Sequence, residues 1–155
     1  MAQLDRIDYA ILACLQRDGG LSQREIAAEV GLSQNACWRR LQRLSADGVL
    51  RGSRAVVDPS ALGLELTVFM MVRTRHHALD WARSFRRHVE AIPEVTDFHR
   101  IGGDWDYLLK IVTGSMAGYD SVYQRLISGF DLETVTGHFS METIFEGRPL
   151  SPPRQ

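Results

Sequence analysis

Residues 21–50, LSQREIAAEVGLSQNACWRRLQRLSADGVL, decide the fold of the N-terminal third. Ser22 and Glu25 stand at the spacing of a capping box, in which the serine oxygen satisfies an orphan amide and the glutamate reaches back. The short helix that follows turns Ile26, Ala27 and Val30 inward and ends at Gly31. Ser33 opens a longer helix, closed by Gly48 as its C-terminal cap. Ahead of them Asp5 can cap a helix with Ile7, Ile11, Leu12 and Leu15 at helical spacing, stopped by Gly19-Gly20. Two helices joined by a tight glycine-containing turn, behind a third, form a helix-turn-helix unit.

The last of these helices is the informative one. At about 100° per residue, Cys37, Leu41 and Leu44 make one apolar stripe. The opposite face presents Asn35, Trp38, Arg39, Gln42 and Arg43, with Ser33 and Gln34 at its first turn. Amides and guanidiniums pair in two-pronged fashion with purine edges in the major groove, and arginine also reaches phosphate. The β-prone segment 49–57 carries Arg51 and Arg54 beside a Gly-Ser turn, which suits a small wing touching backbone phosphates. The net charge of -1 does not oppose this. Of 18 basic residues only Lys110 is lysine, so nearly all positive charge sits on planar arginine forks.

Beyond Asp58-Pro59-Ser60 and Gly63 the pattern alternates. It predicts a strand over 64–74, a helix over 80–92, strands over 95–101 and 105–112, a helix over 115–128 and a strand over 134–145. That order, β-α-β-β-α-β, is the ferredoxin-like split unit. The reading is therefore an α+β chain. It has a winged helix-turn-helix DNA-binding domain over 1–58, a linker over 59–63, a ferredoxin-like effector-binding and oligomerisation domain over 64–146, and a flexible tail over 147–155. Strands this apolar need cover on the sheet's second face, and a second copy of the sheet would give an isologous dimer.

Several classes are disfavoured. No apolar run approaches the roughly 18 residues that span a bilayer, and the N-terminus lacks a signal peptide's apolar stretch, so the cytoplasm is expected. Cys14 and Cys37 lack metal-ligand spacing and belong on apolar helix faces. His76 and His77, as strand neighbours, point to opposite faces and suit surface or interface polarity better than a metal site. No nucleophile-base pairing and no phosphate-binding glycine loop argue for an enzyme. A sensor of amino acids that acts through protein contacts, without DNA, is the alternative, but it has no use for an outward Asn35, Arg39 and Arg43.

Taken together, LDRIDYAILACLQRDG, the 21–50 block, DPSALGL, GGDWDYLLKIV and GYDSVYQRL resemble the Lrp/AsnC (feast/famine) family of transcription regulators, in order and at matching spacing. The resemblance implies dimers assembling to tetramers, octamers or larger, double-stranded DNA as partner, no cofactor, and an amino-acid effector bound in a cleft between effector domains. It places that effector by Gly102, Gly103, Asp104, Trp105 and Asp106, with Thr136, His138, Phe139 and Ser140 on the last strand and Met116 nearby. Paired glycines expose amides that can hold a carboxylate, and aspartates can pair an ammonium. Trp105 suits cross-strand packing equally well. The chain departs from the family pattern at Gly137-His138, where many relatives carry paired small hydroxyl residues. The segments LTVFMMVRTRHHALDW and SMETI resemble a cysteine-responsive branch, which makes L-cysteine the preferred effector. Leucine, another branched-chain residue and an aromatic one stay open.

Overall fold

The computed structural model describes residues 3–151. Asp5 caps α1 (Arg6–Arg17) in a full capping box: its carboxylate accepts from the amides of Ile7 and Asp8, and the Asp8 carboxylate accepts from the Asp5 amide. Ser22 and Glu25 cap α2 (Gln23–Glu29) in the same reciprocal way. Ser33 caps α3 (Gln34–Ala46), which closes through Gly48 at φ +69. Apolar stripes from the three helices meet in one core, where Ile11, Ile26, Cys37 and Leu44 are buried. Cys14 and Cys37 lie in that core, and burial pushes both thiols up from their ordinary range.

The expected wing has no β-ladder. Residues 51–58 are irregular and their side chains exposed. Strand propensity in this stretch meets no partner strand among the described residues, and without one the pairing that stabilises a strand is missing.

After a 3-10 turn (Ser60–Leu62) come β1 (Leu66–Arg73), α4 (Leu79–Glu90), β2 (Val95–Arg100), β3 (Tyr107–Thr113), α5 (Met116–Ile127) and β4 (Thr134–Phe139). The sheet runs β2-β3-β1-β4, antiparallel throughout, with β1 and β3 central. One face packs Val68, Met70, Val72, Leu109 and Ile111 against Phe85 and Val89 of α4 and Val122 and Leu126 of α5. Cross-strand partners share a face, so Phe69, Met71, Leu108 and Val112 line the other one.

β4 is six residues shorter than the sequence pattern predicts. The Ser140 amide still bonds the Thr67 carbonyl at 2.9 Å, but β1 begins at Leu66 and offers no further ladder. Met141, Ile144 and Phe145 consequently stand exposed.

The chain divides into two units, one running to Val56 and resumed from Phe145, the other from Val57 to Ile144. The returning segment is fixed to α1 by the Gln16 side chain, which accepts from the Leu150 amide at 2.7 Å and donates to its carbonyl at 3.2 Å. A tail expected to be loose from 147 onward is thus held at Leu150, because an amide side chain satisfies both of its backbone groups. Residues 152–155 of that tail lie outside the described residues.

Candidate nucleic-acid interface and effector loop

On α3 the outward face is as the periodicity requires. Ser33, Gln34, Asn35, Trp38, Arg39 and Gln42 are exposed, Trp38 by 52% despite its size. An exposed indole amid amides and guanidiniums suits contact with sugar or a thymine methyl. Arg51 and Arg54 are exposed in the stretch that follows.

Arg43 is exposed on the same face but also has a protein partner. It is ion-paired with Asp8 of α1, whose side chain is fully buried. Arg40, not among the sequence candidates, bonds Asp8 Oδ1 at 2.8 Å and Asp5 Oδ2 at 2.7 Å. The amide of Asp8 and the guanidinium of Arg40 hold the Asp5 carboxyl at about 2, below its usual 3.8. This network had a signal in the sequence: Asp8 stands three residues before Ile11 and seven before Leu15, a carboxylate on an apolar stripe. Such a group needs a cationic partner once buried.

In the second unit the turn 102–106 joins β2 to β3. Gly102, Gly103 and Asp104 are exposed, and Gly103 takes φ +109, open to glycine at little cost. Asp106 is a brace: its amide donates to the Val72 carbonyl at 2.9 Å, and its Oδ2 accepts from the Thr74 amide at 2.8 Å. Arg73 donates to the Asp104 carbonyl at 2.6 Å, with its guanidinium 5.1 Å from the centre of the Trp105 ring. Trp105 is thereby packed by a neighbouring strand's cation.

The two histidines lie past the end of β1 and part company. His77 Nδ1 is 3.8 Å from Asp106 Oδ1, while His76 Nε2 is 3.4 Å from Asp131 and its ring stacks on Trp81. No group of three or more metal-ligating side chains occurs among the described residues.

The remaining effector candidates are not gathered beside the turn. Thr136 pairs with Met71 and His138 with Phe69, so both belong to the face away from the helices. Phe139 pairs with Val68 and packs on Tyr119 of α5, and Ser140 bonds Thr67. Met116, at the start of α5, is exposed. From Val68 to Arg73 the strand rises about 17 Å. Within one chain, then, Phe139 and Ser140 stand at the end of the sheet opposite to Gly103 and Asp106.

Gly137 has a steric reason. A Cβ there would run into Tyr119 Oη and lie 3.3 Å from Val68. The tyrosine hydroxyl fills the space in which a side chain at 137 would stand. Gly137→Ala is expected to destabilise this unit by about 1–3 kcal/mol through overpacking. Tyr119→Phe in the same chain should recover much of that loss in a urea titration. Equal losses with and without the hydroxyl would show that Tyr119 is not the obstacle.

A capped helix-turn-helix with an amide- and guanidinium-bearing third helix, followed in the sequence by an α+β unit of ferredoxin-like order, defines a DNA-binding regulator with a ligand-binding domain. A model of the winged helix-turn-helix DNA-binding domain matches residues 4–51, and one of the Lrp/AsnC ligand binding domain matches residues 67–150. The chain belongs to the Lrp/AsnC family of transcription regulators.

A glutamate uptake regulatory protein of Zymomonas mobilis is 42% identical over 142 residues, covering 92% of this chain and 87% of that protein. The DNA-binding transcriptional activator DecR of Escherichia coli is also 42% identical over 142 residues, covering 91% and 93%. An AsnC family transcriptional regulator from Agrobacterium tumefaciens superposes with a TM-score of 0.90 at 40% identity, over 96% of this chain and 97% of that one. A transcriptional regulator of Neisseria meningitidis, solved as a complex with L-Met, does so at 0.88 and 31%, over 96% and 97%. No helix among the described residues is long and apolar enough to cross a membrane.

Proposed function

We propose that this regulator reads duplex DNA with Gln34, Asn35, Trp38, Arg39 and Gln42 of α3, and that Arg51 and Arg54 hold phosphates. The observation that carries this is the exposed, hydrogen-bonding outer face of a helix whose inner face is fully committed to the core. Paired heads in a dimer would read half-sites about one helical turn apart. The sheet face bearing Phe69, Met71, Leu108 and Val112 suits a second copy as its cover. The cytoplasm, where the DNA is, is the corresponding location.

The effector in this reading is a small amino acid, L-cysteine first among candidates because of the DecR-like segments. L-Met, present in the Neisseria complex, widens the set to be tested. Asp104 and the amides around Gly103 would take the ammonium and carboxylate. The separation of this turn from Met116, Phe139 and Ser140 favours a site completed by a neighbouring copy, as the family resemblance implies. Effector binding acts by favouring one assembly over another.

Arg39→Ala is expected to weaken binding to a selected duplex by about 1–3 kcal/mol, and binding to random duplex much less. Equal losses on both would reassign Arg39 to phosphate. For the effector, the unfolding midpoint should rise with the amino acid that binds the folded state. Asp106→Asn is the informative variant there: an amide oxygen can still accept from Thr74, so a lost midpoint shift would report on the carboxylate charge itself. An undiminished shift would remove Asp106 from the site.

A further inference from the structure

Asp8 is a fully buried carboxylate whose ligands come from the DNA-reading helix. Oδ1 accepts from Arg40, and Oδ2 accepts from the Asp5 amide and from Arg43. Arg43 lies one turn beyond Arg39 on α3, at the i,i+4 spacing that makes helix surface neighbours. Both side chains line the same shallow cleft with Leu32 and Ala36, and the Arg43 side chain is 47% exposed. A guanidinium in that position, one turn beyond the base-reading Arg39, is placed to reach the DNA backbone. What turns it back toward α1 is Asp8.

We infer that Asp8 is a specificity-determining residue: it pins Arg43 and offsets its charge, withholding a phosphate contact that would tighten binding to any sequence. The physics is that of counterion release. Each arginine engaged on phosphate adds affinity that carries no sequence information and steepens the salt dependence. With Arg43 withheld, discrimination rests on the neighbouring side chains that face the bases. The inference rests on α3 being the reading helix, as proposed above.

The test uses the full chain and two fluorescent duplexes, one of random sequence and one selected from a random pool by the wild-type protein. Anisotropy titrations are run over a salt series for wild type, Asp8→Asn, Arg43→Gln and the double variant. Asp8→Asn should bind random duplex several-fold more tightly, with the slope of log K against log[salt] steeper by about 0.9 per arginine released. It should also narrow the gap between selected and random duplex. Arg43→Gln alone should keep the wild-type slope, and in the double variant it should cancel the steepening.

A shallower slope for Arg43→Gln alone would mean that Arg43 already sits on phosphate, and would overturn the inference. So would an unchanged slope in a folded Asp8→Asn protein. If Asp8→Asn does not fold, Asp8→Gln takes its place in the same series, with the same steepening expected and an unchanged slope again overturning the inference. A wild type with no preference for any selected duplex overturns the reading of α3, and this inference with it. A wild type with a clear preference and an unaltered Asp8→Asn slope overturns this inference alone.

Discussion

Phe85→Ala is expected to cost the ferredoxin-like unit about 3–5 kcal/mol, the range for deleting a buried phenyl ring and leaving its cavity. Phe85 has no exposed surface. Its ring stacks on Trp81 at 5.1 Å, lies 5.2 Å from both Tyr107 and Phe130, and meets Phe98 edge-on at 6.0 Å. These contacts tie α4 to β2, β3 and the segment before β4, so the loss is felt across the unit. Aromatic pairs add about 0.5–1.5 kcal/mol each beyond the area they bury. Against a typical domain stability of about 5–15 kcal/mol, that is a large fraction.

Urea unfolding followed by segment-resolved hydrogen exchange checks the expectation. Amides of residues 66–139 should lose protection while those of 6–46, in a separate core, keep theirs. A change below about 1 kcal/mol would show that the surrounding rings close the cavity. Amino-acid binding should weaken in this variant, and DNA binding with it to the extent that the sheet of this unit pairs the two heads.

The elements whose ends are chemically marked were legible from the residues alone. Asp5, Ser22 with Glu25, and Ser33 each cap the helix their spacing foretold, because a cap is a local hydrogen bond between residues two or three apart. The order of strands and helices in the second unit was legible for a similar reason, the apolar period changing at each turn. What failed was whatever depends on a distant partner. Residues 140–145 alternate like a strand, yet a strand needs a ladder, and β1 does not extend far enough to supply one. Val49, Val56 and Val57 favour strand, but propensity alone gives no hydrogen bonds.

The site residues divide along the same line. Asn35, Arg39 and Gln42 were legible because one helix's period decides which way they point. Arg43 also points outward as that period requires, but its ion pair was not legible, since the partner is Asp8, 35 positions earlier on another helix. For the effector residues, spacing could nominate the turn 102–106 and the last strand. It could not reveal that Asp106 is committed to Thr74, or that Phe139 and Ser140 stand at the other end of β1.

Asp8→Ala carries the largest effect expected in the DNA-binding unit, about 3 kcal/mol. Breaking a buried ion pair by removing one partner typically costs about 3–5 kcal/mol, because the other charge stays behind unpaired. Here the partners temper that figure: the side chains of Arg40 and Arg43 are 27% and 47% exposed, so both can turn partly to water. The Asp5 amide also loses its acceptor, halving the capping box. The other half survives, since the backbone amide at position 8 still donates to the Asp5 carboxylate.

That survival fixes the pH behaviour. A carboxyl held at about 2 in the folded chain and at 3.8 in the unfolded one stabilises the fold above pH 3.8, and the benefit is lost as pH falls toward 2. The leading cause of that depression is the Asp8 backbone amide, with the Arg40 guanidinium second. Asp8→Ala should therefore lower the stability of this unit near neutral pH while leaving an acid limb below pH 3.8. Asp5→Asn should do the reverse, removing much of the acid limb with a smaller loss at neutrality, because an asparagine also caps well. Urea midpoints for the two variants at neutral pH and at pH 3 separate these outcomes. An acid limb abolished by Asp8→Ala would show that the Asp5 carboxyl is not what sets how this unit unfolds in acid.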